Sequence, residues 1–192
     1  MNGHKMIPVG LSNRHLHLSR EDMDVLFGEG YELNNVKDLK QPGQYASEEK
    51  VDLVGPKGEI KGVRVLGPTR KVTQIEVTLS DGFVLGLKPP IRDSGDIEGS
   101  PGVLIRGPKG EVTINKGLIA AARHIHMHTD DAEVFGLKDK DKVAVRASGE
   151  RAVVFENVLV RVKSEFSLEM HLDLDEGNAA NVKNGDLVEI IL

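Results

Sequence analysis

Arg14-His15-Leu16-His17-Leu18 returns 109 residues later as Arg123-His124-Ile125-His126-Met127. Each copy is followed by an acidic stretch and then by an apolar one, Val25-Leu26-Phe27-Gly28 in the first and Val134-Phe135-Gly136 in the second. The repeat marks a duplicated chain. In an extended strand, side chains at i and i+2 project to the same side. Each pair therefore aims two imidazoles one way, while Leu16 and Leu18, or Ile125 and Met127, turn the other way into apolar packing. Four of the seven histidines sit in these pairs. Imidazole is the commonest protein ligand for zinc-like metals. A lone His-x-His is a weak sign, and duplication could preserve the pattern for packing alone. Written twice, it favours two metal ions near one pseudo-symmetric seam.

Around these motifs the chain reads as mainly β. Val51–Val54, Gly62–Leu66, Val72–Leu79, Phe83–Leu87 and Val103–Arg106 read as strands, as do Val143–Ala147, Ala152–Val162, Phe166–Leu174 and Leu187–Leu192. They are rich in Val, Ile and Thr, often alternate, and end at turn residues. Gly55-Pro56-Lys57-Gly58-Glu59 and Gly107-Pro108-Lys109-Gly110-Glu111 are a second repeated element, read as hairpin turns. Short strands at this spacing imply a barrel or a sandwich. Helices are few. Ser19 is a good N-cap ahead of Met23, Leu26 and Phe27, and Thr129 is the expected cap of the second copy, with Asp130 and Asp131 in its first turn and Gly136 as its stop. Gly86 to Gly102 is the longest loop-like stretch and the expected connection between halves.

Composition narrows the function. The 192 residues are 39% apolar and 29% charged with a net charge of -5, which describes an ordinary globular protein without the basic face of a nucleic-acid binder. Cysteine is absent, so there is no disulfide, no cysteine-ligated zinc and no thiolate nucleophile. No run approaches the ~18 apolar residues of a membrane span, and no signal-peptide pattern opens the chain. The expected address is the cytoplasm, with neither nucleic acid nor membrane as partner.

Two imidazoles seldom hold a metal alone, since catalytic zinc sites use three protein ligands and an open position. His171, in the alternating Glu169-Met170-His171-Leu172-Asp173-Leu174, is the natural third ligand, although a lone histidine there is more often a half-exposed strand residue. Glu76 shares a strand face with Gln74, opposite Ile75, Val77 and Leu79; periodicity does not separate an oxygen ligand from a solvated carboxylate. His128 extends the second pair, but its counterpart is Ser19, a cap, so it reads first as a helix-entry residue. His4 receives no role. Arg70 follows the turn Gly67-Pro68-Thr69; a guanidinium near metals suits a bidentate grip on phosphate, yet an arginine at a strand start is usually solvated.

The stretches Val9-Gly10-Leu11-Ser12-Asn13-Arg14-His15-Leu16-His17-Leu18-Ser19, Leu66-Gly67-Pro68-Thr69-Arg70 leading to Gln74-Ile75-Glu76-Val77, Pro90-Ile91-Arg92-Asp93-Ser94-Gly95, Arg123-His124-Ile125-His126-Met127 and Met170-His171 together resemble the PduL-type phosphotransacylases. These are phosphate propanoyltransferases of the propanediol-utilisation kind, and the match runs from about Ile7 to the C-terminus. The resemblance implies acyl-CoA + phosphate ⇌ acyl phosphate + CoA, with propanoyl-CoA or acetyl-CoA as substrate. It implies two small β-barrels capped by short helices, with two zinc-type ions in the cleft between them. Residues 1–13 with 122–192 would form one barrel, 14–102 the other, and 103–121 a connection. Carried over by position, His15, His17 and Glu76 would hold one metal, His124, His126 and His171 the other, and Arg70 would contact phosphate.

Encapsulated members carry an extra N-terminal amphipathic segment. Only Met1-Asn2-Gly3-His4-Lys5-Met6 precedes the family-like start here, too short for such a helix, so encapsulation is not expected. Without a cysteine or a Gly-x-Ser-x-Gly motif to carry the acyl group, direct transfer in a ternary complex is the expected route. Arg64, Lys71, Lys88 and Arg92 are basic enough for the CoA phosphates, and nothing in the sequence ranks them. Acyl-chain preference and oligomeric state stay open, a homo-oligomer included. A two-metal hydrolase and a metal-stabilised binding module are the competing readings.

Overall fold

The computed structural model describes residues 5–191; His4 lies outside them. In chain order, the first half contains β1 (Met6–Ser12), β2 (His15–His17), α1 (Arg20–Phe27), β3 (Asn35–Asp38), β4 (Tyr45–Val54), β5 (Glu59–Gly67), β6 (Gln74–Glu76) and α2 (Leu79–Leu85). Next come β7 (Ile91–Arg92), β8 (Val103–Arg106), β9 (Glu111–Ile114), β10 (Leu118–Ala121), β11 (His124–Met127) and α3 (Thr129–Phe135). The chain closes with β12 (Lys142–Ala147), β13 (Val153–Val162), β14 (Glu169–Asp173), α4 (Leu174–Ala180) and β15 (Leu187–Ile191). No helix among the described residues is long and apolar enough to cross a membrane.

The chain divides into two compact units. The first, Met1–Ser12 with Ala122–Leu192, closes into a six-stranded barrel in the order β1-β14-β11-β13-β12-β15, with β15 returning to β1. Strand β1 runs parallel to β14, placing Gly10 opposite His171, and antiparallel to β15. Alternation explains the filling: Ile7 and Val9 of β1, Met170 and Leu172 of β14, and Ile125 and Met127 of β11 all turn into one buried core. Closure leaves no open edge, which removes the unpaired ladder groups a sheet otherwise exposes.

The second unit, Asn13–Ala121, is a half-barrel sheet with strand order β7-β10-β6-β2-β5-β4-β8-β9, and β3 pairs with β4. Its core gathers Leu16, Leu18, Met23, Leu26, Val65 and Ile75 among others. The mainly β expectation therefore holds, with one barrel closed and one half-barrel. Both Gly-Pro-Lys-Gly segments are hairpin turns, each closed by a 2.9 Å bond from the first glycine N–H to the second glycine carbonyl. They also serve helix ends. The Lys57 amide donates to Leu85 O of α2 at 3.1 Å and the Lys109 amide to Leu26 O of α1 at 3.0 Å, so each turn satisfies a carbonyl that a helix C-terminus leaves open. A side chain at Gly55 or Gly107 would meet those carbonyl oxygens at 2.2 and 2.6 Å.

Several local expectations are corrected. Phe83–Leu87 is not a strand, and Val72–Leu79 is strand only over Gln74–Glu76. Thr78 and Asp81 form a reciprocal capping box that starts α2, and Gly86 ends it in the left-handed region at φ 73°. Asp173 and Glu176 build the same box for α4, which periodicity does not announce. His128, not Thr129, caps α3, its ring accepting the Asp130 amide at 3.1 Å; its reading as a helix-entry residue stands. Residues 103–121 form β8, β9 and β10 and pair within the second unit, which also contains Gly86 to Gly102.

Candidate functional site

Both histidine motifs are built alike. In the first unit β11 pairs antiparallel with β14, and the register sets His124 opposite His171, Ile125 opposite Met170 and His126 opposite Glu169. In the second, β2 pairs antiparallel with β6, with His15 opposite Glu76, Leu16 opposite Ile75 and His17 opposite Gln74. Directly opposed residues bring their Cβ atoms to about 4.5–5.5 Å. Pairing, not chain proximity, thus delivers the third candidate ligand to the same edge as the first histidine of each pair.

In the first unit the donor atoms of His124, His126 and His171 all lie within 4.8 Å of one another. The ring centroids of His126 and His171 are 4.6 Å apart, and those of His124 and His171 5.0 Å. Three nitrogens bound tetrahedrally at ~2.0–2.1 Å from zinc sit roughly 3.4 Å from one another, so small ring rotations bring this set onto one ion. In the second unit the set is looser. His15 Nε2 lies 3.5 Å from Glu76 Oε2, and the His15 and His17 rings are 5.6 Å apart, edge to face.

The surroundings suit coordination. Nδ1 of His15 bonds the Asn13 carbonyl and Nδ1 of His124 the Ala122 carbonyl, both at 2.8 Å. A carbonyl accepts, so Nδ1 carries the proton and Nε2 keeps its lone pair for a metal. Among the described residues the buried Nδ1 atoms of His17 and His126 find no hydrogen-bond partner, an unusual condition for a buried polar atom and one that fits rings held for an ion. Burial, then the Arg70 charge and His15, push His17 down to about 3 against the opposing pull of Glu76. Burial, then His124 and His171, push His126 down to about 2. Both rings are neutral at physiological pH, the form in which imidazole binds metal.

Each candidate third ligand has a supporting neighbour two residues earlier, matched to its chemistry. Gln74 Nε2 donates to Glu76 Oε1 at 2.7 Å, Ser94 Oγ donates to the same oxygen at 2.8 Å, and the Gly95 amide holds Gln74 Oε1 at 2.7 Å. A carboxylate is thus supported by donors. In the other unit the Glu169 carboxylate lies 2.8 Å from His171 Nε2, so an imidazole is supported by an acceptor. Glu169 itself rests over Gly10, where a Cβ would stand 2.6 Å from its carboxyl carbon. Sequence reasoning placed Gln74 on the Glu76 face but missed Ser94 and Glu169.

Arg70 lies where the chain turns back. Its amide donates to Leu18 O at 2.9 Å and it forms a bridge with Ser19. Its charge is close enough to His17 to depress that imidazole. Among the other basic candidates, Arg64 is the β5 residue opposite His15 and bonds the Ser47 carbonyl, while Arg92 lies 3.7 Å from Asp96.

With this geometry, comparison with known proteins is decisive. The family model for phosphate propanoyltransferase matches residues 8–183. The chain belongs to the phosphate propanoyltransferase family. It is 60% identical over 186 residues to a phosphate propanoyltransferase of Thermotoga maritima, covering 96% of this chain and 89% of that one. A Rhodopseudomonas palustris phosphate propanoyltransferase is 54% identical over 184 residues, covering 96% and 81%. One from Clostridioides difficile is 52% identical over 185 residues, covering 96% and 88%. As a member of an acyltransferase family, the chain is an enzyme, and both histidine motifs, Glu76, Arg70 and His171 lie inside the matched span.

Proposed function

We propose that the chain catalyses acyl-CoA + phosphate ⇌ acyl phosphate + CoA on short acyl groups, propanoyl or acetyl, by direct transfer. One divalent metal of zinc type would be held by His15, His17 and Glu76, and a second by His124, His126 and His171. The observation that carries this reading is the convergence of His124, His126 and His171 within 4.8 Å in a member of this family. When bound, such ions supply Lewis acidity to carbonyl and phosphate oxygens and to a departing thiolate.

The protein's own groups have separate tasks. His17 and His126, neutral through burial, offer lone pairs without a proton to displace. His15 and His124 are oriented by their carbonyl contacts. Arg70, next to the first set, grips phosphate through its planar fork and fixes the attacking oxygen. In the forward direction a phosphate oxygen bonds the acyl carbon and the carbon–sulfur bond breaks. The electron pair leaves on sulfur, and the proton released by phosphate is taken up by solvent or by the departing thiolate. The chain contains no cysteine, which favours a single displacement over a thioester-linked enzyme.

The test follows CoA thiol release from propanoyl-CoA and from acetyl-CoA with and without inorganic phosphate. Phosphate-dependent release is expected. Release without phosphate means a hydrolase, and no release leaves a binding module.

A further inference from the structure

We propose that Arg14 and Arg123 are positioning residues that keep the third ligand of each histidine set opposite the first, by clamping the His-x-His strand to the helix that follows the third ligand. The inference rests on the metal reading above.

Both candidate ligand pairs sit on the last rung of a ladder. Pairing of β2 with β6 ends at His15 opposite Glu76, and pairing of β11 with β14 ends at His124 opposite His171. A terminal rung has a paired neighbour on one side only, so it frays more readily than an internal one. One step beyond each rung stands an arginine, and beyond the third ligand the chain enters a helix through a capping box. Thr78 and Asp81 come two and five residues after Glu76, and Asp173 and Glu176 two and five residues after His171.

Those boxes are where the arginines attach. Arg14 Nε donates to Asp81 Oδ2 at 3.0 Å, and its Nη2 lies 2.8 Å from Oδ1, a two-pronged contact onto a carboxylate that also accepts the Thr78 amide at 3.1 Å. Asp81 is 4% exposed, while the Arg14 side chain is 37% exposed, so solvent screening of the pair is reduced on the carboxylate side only. Arg123 Nη1 donates to Glu176 Oε1 at 2.8 Å, its Nε donates to the Glu156 carbonyl at 2.9 Å, and the guanidinium lies over the Phe155 ring at 5.5 Å. The same device therefore occurs twice, on opposite sides of the duplication, with Asp in one copy and Glu in the other. Reuse of a non-local contact beside two different third ligands, a carboxylate and an imidazole, ties the contact to the rung and not to either ligand's chemistry.

The experiment uses full-length protein loaded with zinc and follows release to a chromophoric chelator, with cobalt(II) loading to read coordination through its visible bands. Arg14→Met and Arg123→Met should each speed release of one of two zinc equivalents by ten-fold or more, as expected for loss of a group that orients a ligand. The cobalt bands should change with them. Asp81→Asn and Glu176→Gln keep side-chain volume and should reproduce the effect if the methionine variants fold poorly, and Arg14→Lys should restore it in part. In a His171→Ala background, which leaves the His15 set, Arg14→Met should accelerate release and Arg123→Met should not. Arg14→Met combined with Asp81→Asn should be no worse than either alone. Wild-type protein that retains no zinc overturns the metal reading and this inference with it. Two retained equivalents with unchanged release and unchanged cobalt bands in the variants overturn this inference alone.

Discussion

Replacing Gly10, the β1 residue opposite His171, with alanine should weaken one metal set by displacing the Glu169 carboxylate. A Cβ at Gly10 would stand 2.6 Å from the Glu169 carboxyl carbon and 2.8 Å from its Oε2. To reach the 3.4 Å of ordinary contact the carboxylate must retreat by about 0.8 Å. Its 2.8 Å contact to His171 Nε2 would then stretch towards roughly 3.6 Å, beyond hydrogen-bond range. Because the obstructing atoms are the far end of a flexible side chain, the barrel should absorb the change with little loss of stability. Loss of a partner that orients a metal-binding histidine costs 10–100-fold in metal affinity, about 1.4–2.7 kcal/mol. Gly10→Ala should show that loss for one of two zinc equivalents in a chelator titration. Glu169→Ala should show it too, and the double variant should be no worse than either. Equal additional weakening by Gly10→Ala in the Glu169→Ala background would refute the reasoning.

Three further outcomes are expected. Arg70→Ala should raise the phosphate KM or lower kcat at least ten-fold, about 1.4 kcal/mol, with metal content unchanged by elemental analysis. Arg70→Lys should fall nearer to alanine than to wild type, since it keeps the charge and loses the fork. Initial rates with acyl-CoA and phosphate varied together should give intersecting double-reciprocal lines, and mass spectrometry should find no acyl adduct on the protein. For Glu49, burial would raise the carboxyl, but hydrogen bonds from its own backbone, Tyr31 and Asn34 outweigh it and hold the group below its ordinary value. A lowered folded value means the contribution is complete above the unfolded value of about 4.3 and fades as pH falls through the folded one. Chemical denaturation should therefore find Glu49→Gln less stable than wild type at neutral pH, with the gap closing below about pH 4.

What was legible in the sequence was whatever is local or periodic. The imidazoles of each His-x-His announce themselves at i and i+2, Gly-Pro-Lys-Gly specifies its own turn, and Ser19 caps α1 as expected. Phe83-Val84-Leu85 was misread as strand because a three-residue apolar run has no measurable period. The deciding signal was the Thr78…Asp81 box upstream, and Asp173…Glu176 hid α4 in the same way. His171 and Glu76 could be nominated from periodicity but paired with histidines only through the family resemblance, since the register that opposes them is set by whole-sheet assembly. Arg14 with Asp81 and Arg123 with Glu176 are 67 and 53 residues apart, and neither spacing leaves a trace in one sequence.

Strand β1 is synthesised well before its barrel partners β14 and β15. A nascent chain that has reached Ala121 holds every strand of the half-barrel, while β1 trails from it with both edges unpaired. Early folding of Asn13–Ala121 would be useful in itself. An unstructured 109-residue loop between β1 and the rest of its barrel would oppose closure by roughly 4 kcal/mol of chain entropy, a cost that a folded insert has already absorbed. Until β14 and β15 emerge, however, Met6–Ser12 is an exposed strand able to pair with the same segment of a neighbouring chain. Chains stalled or cleaved before β14 should aggregate through Met6–Ser12, whatever the state of Asn13–Ala121.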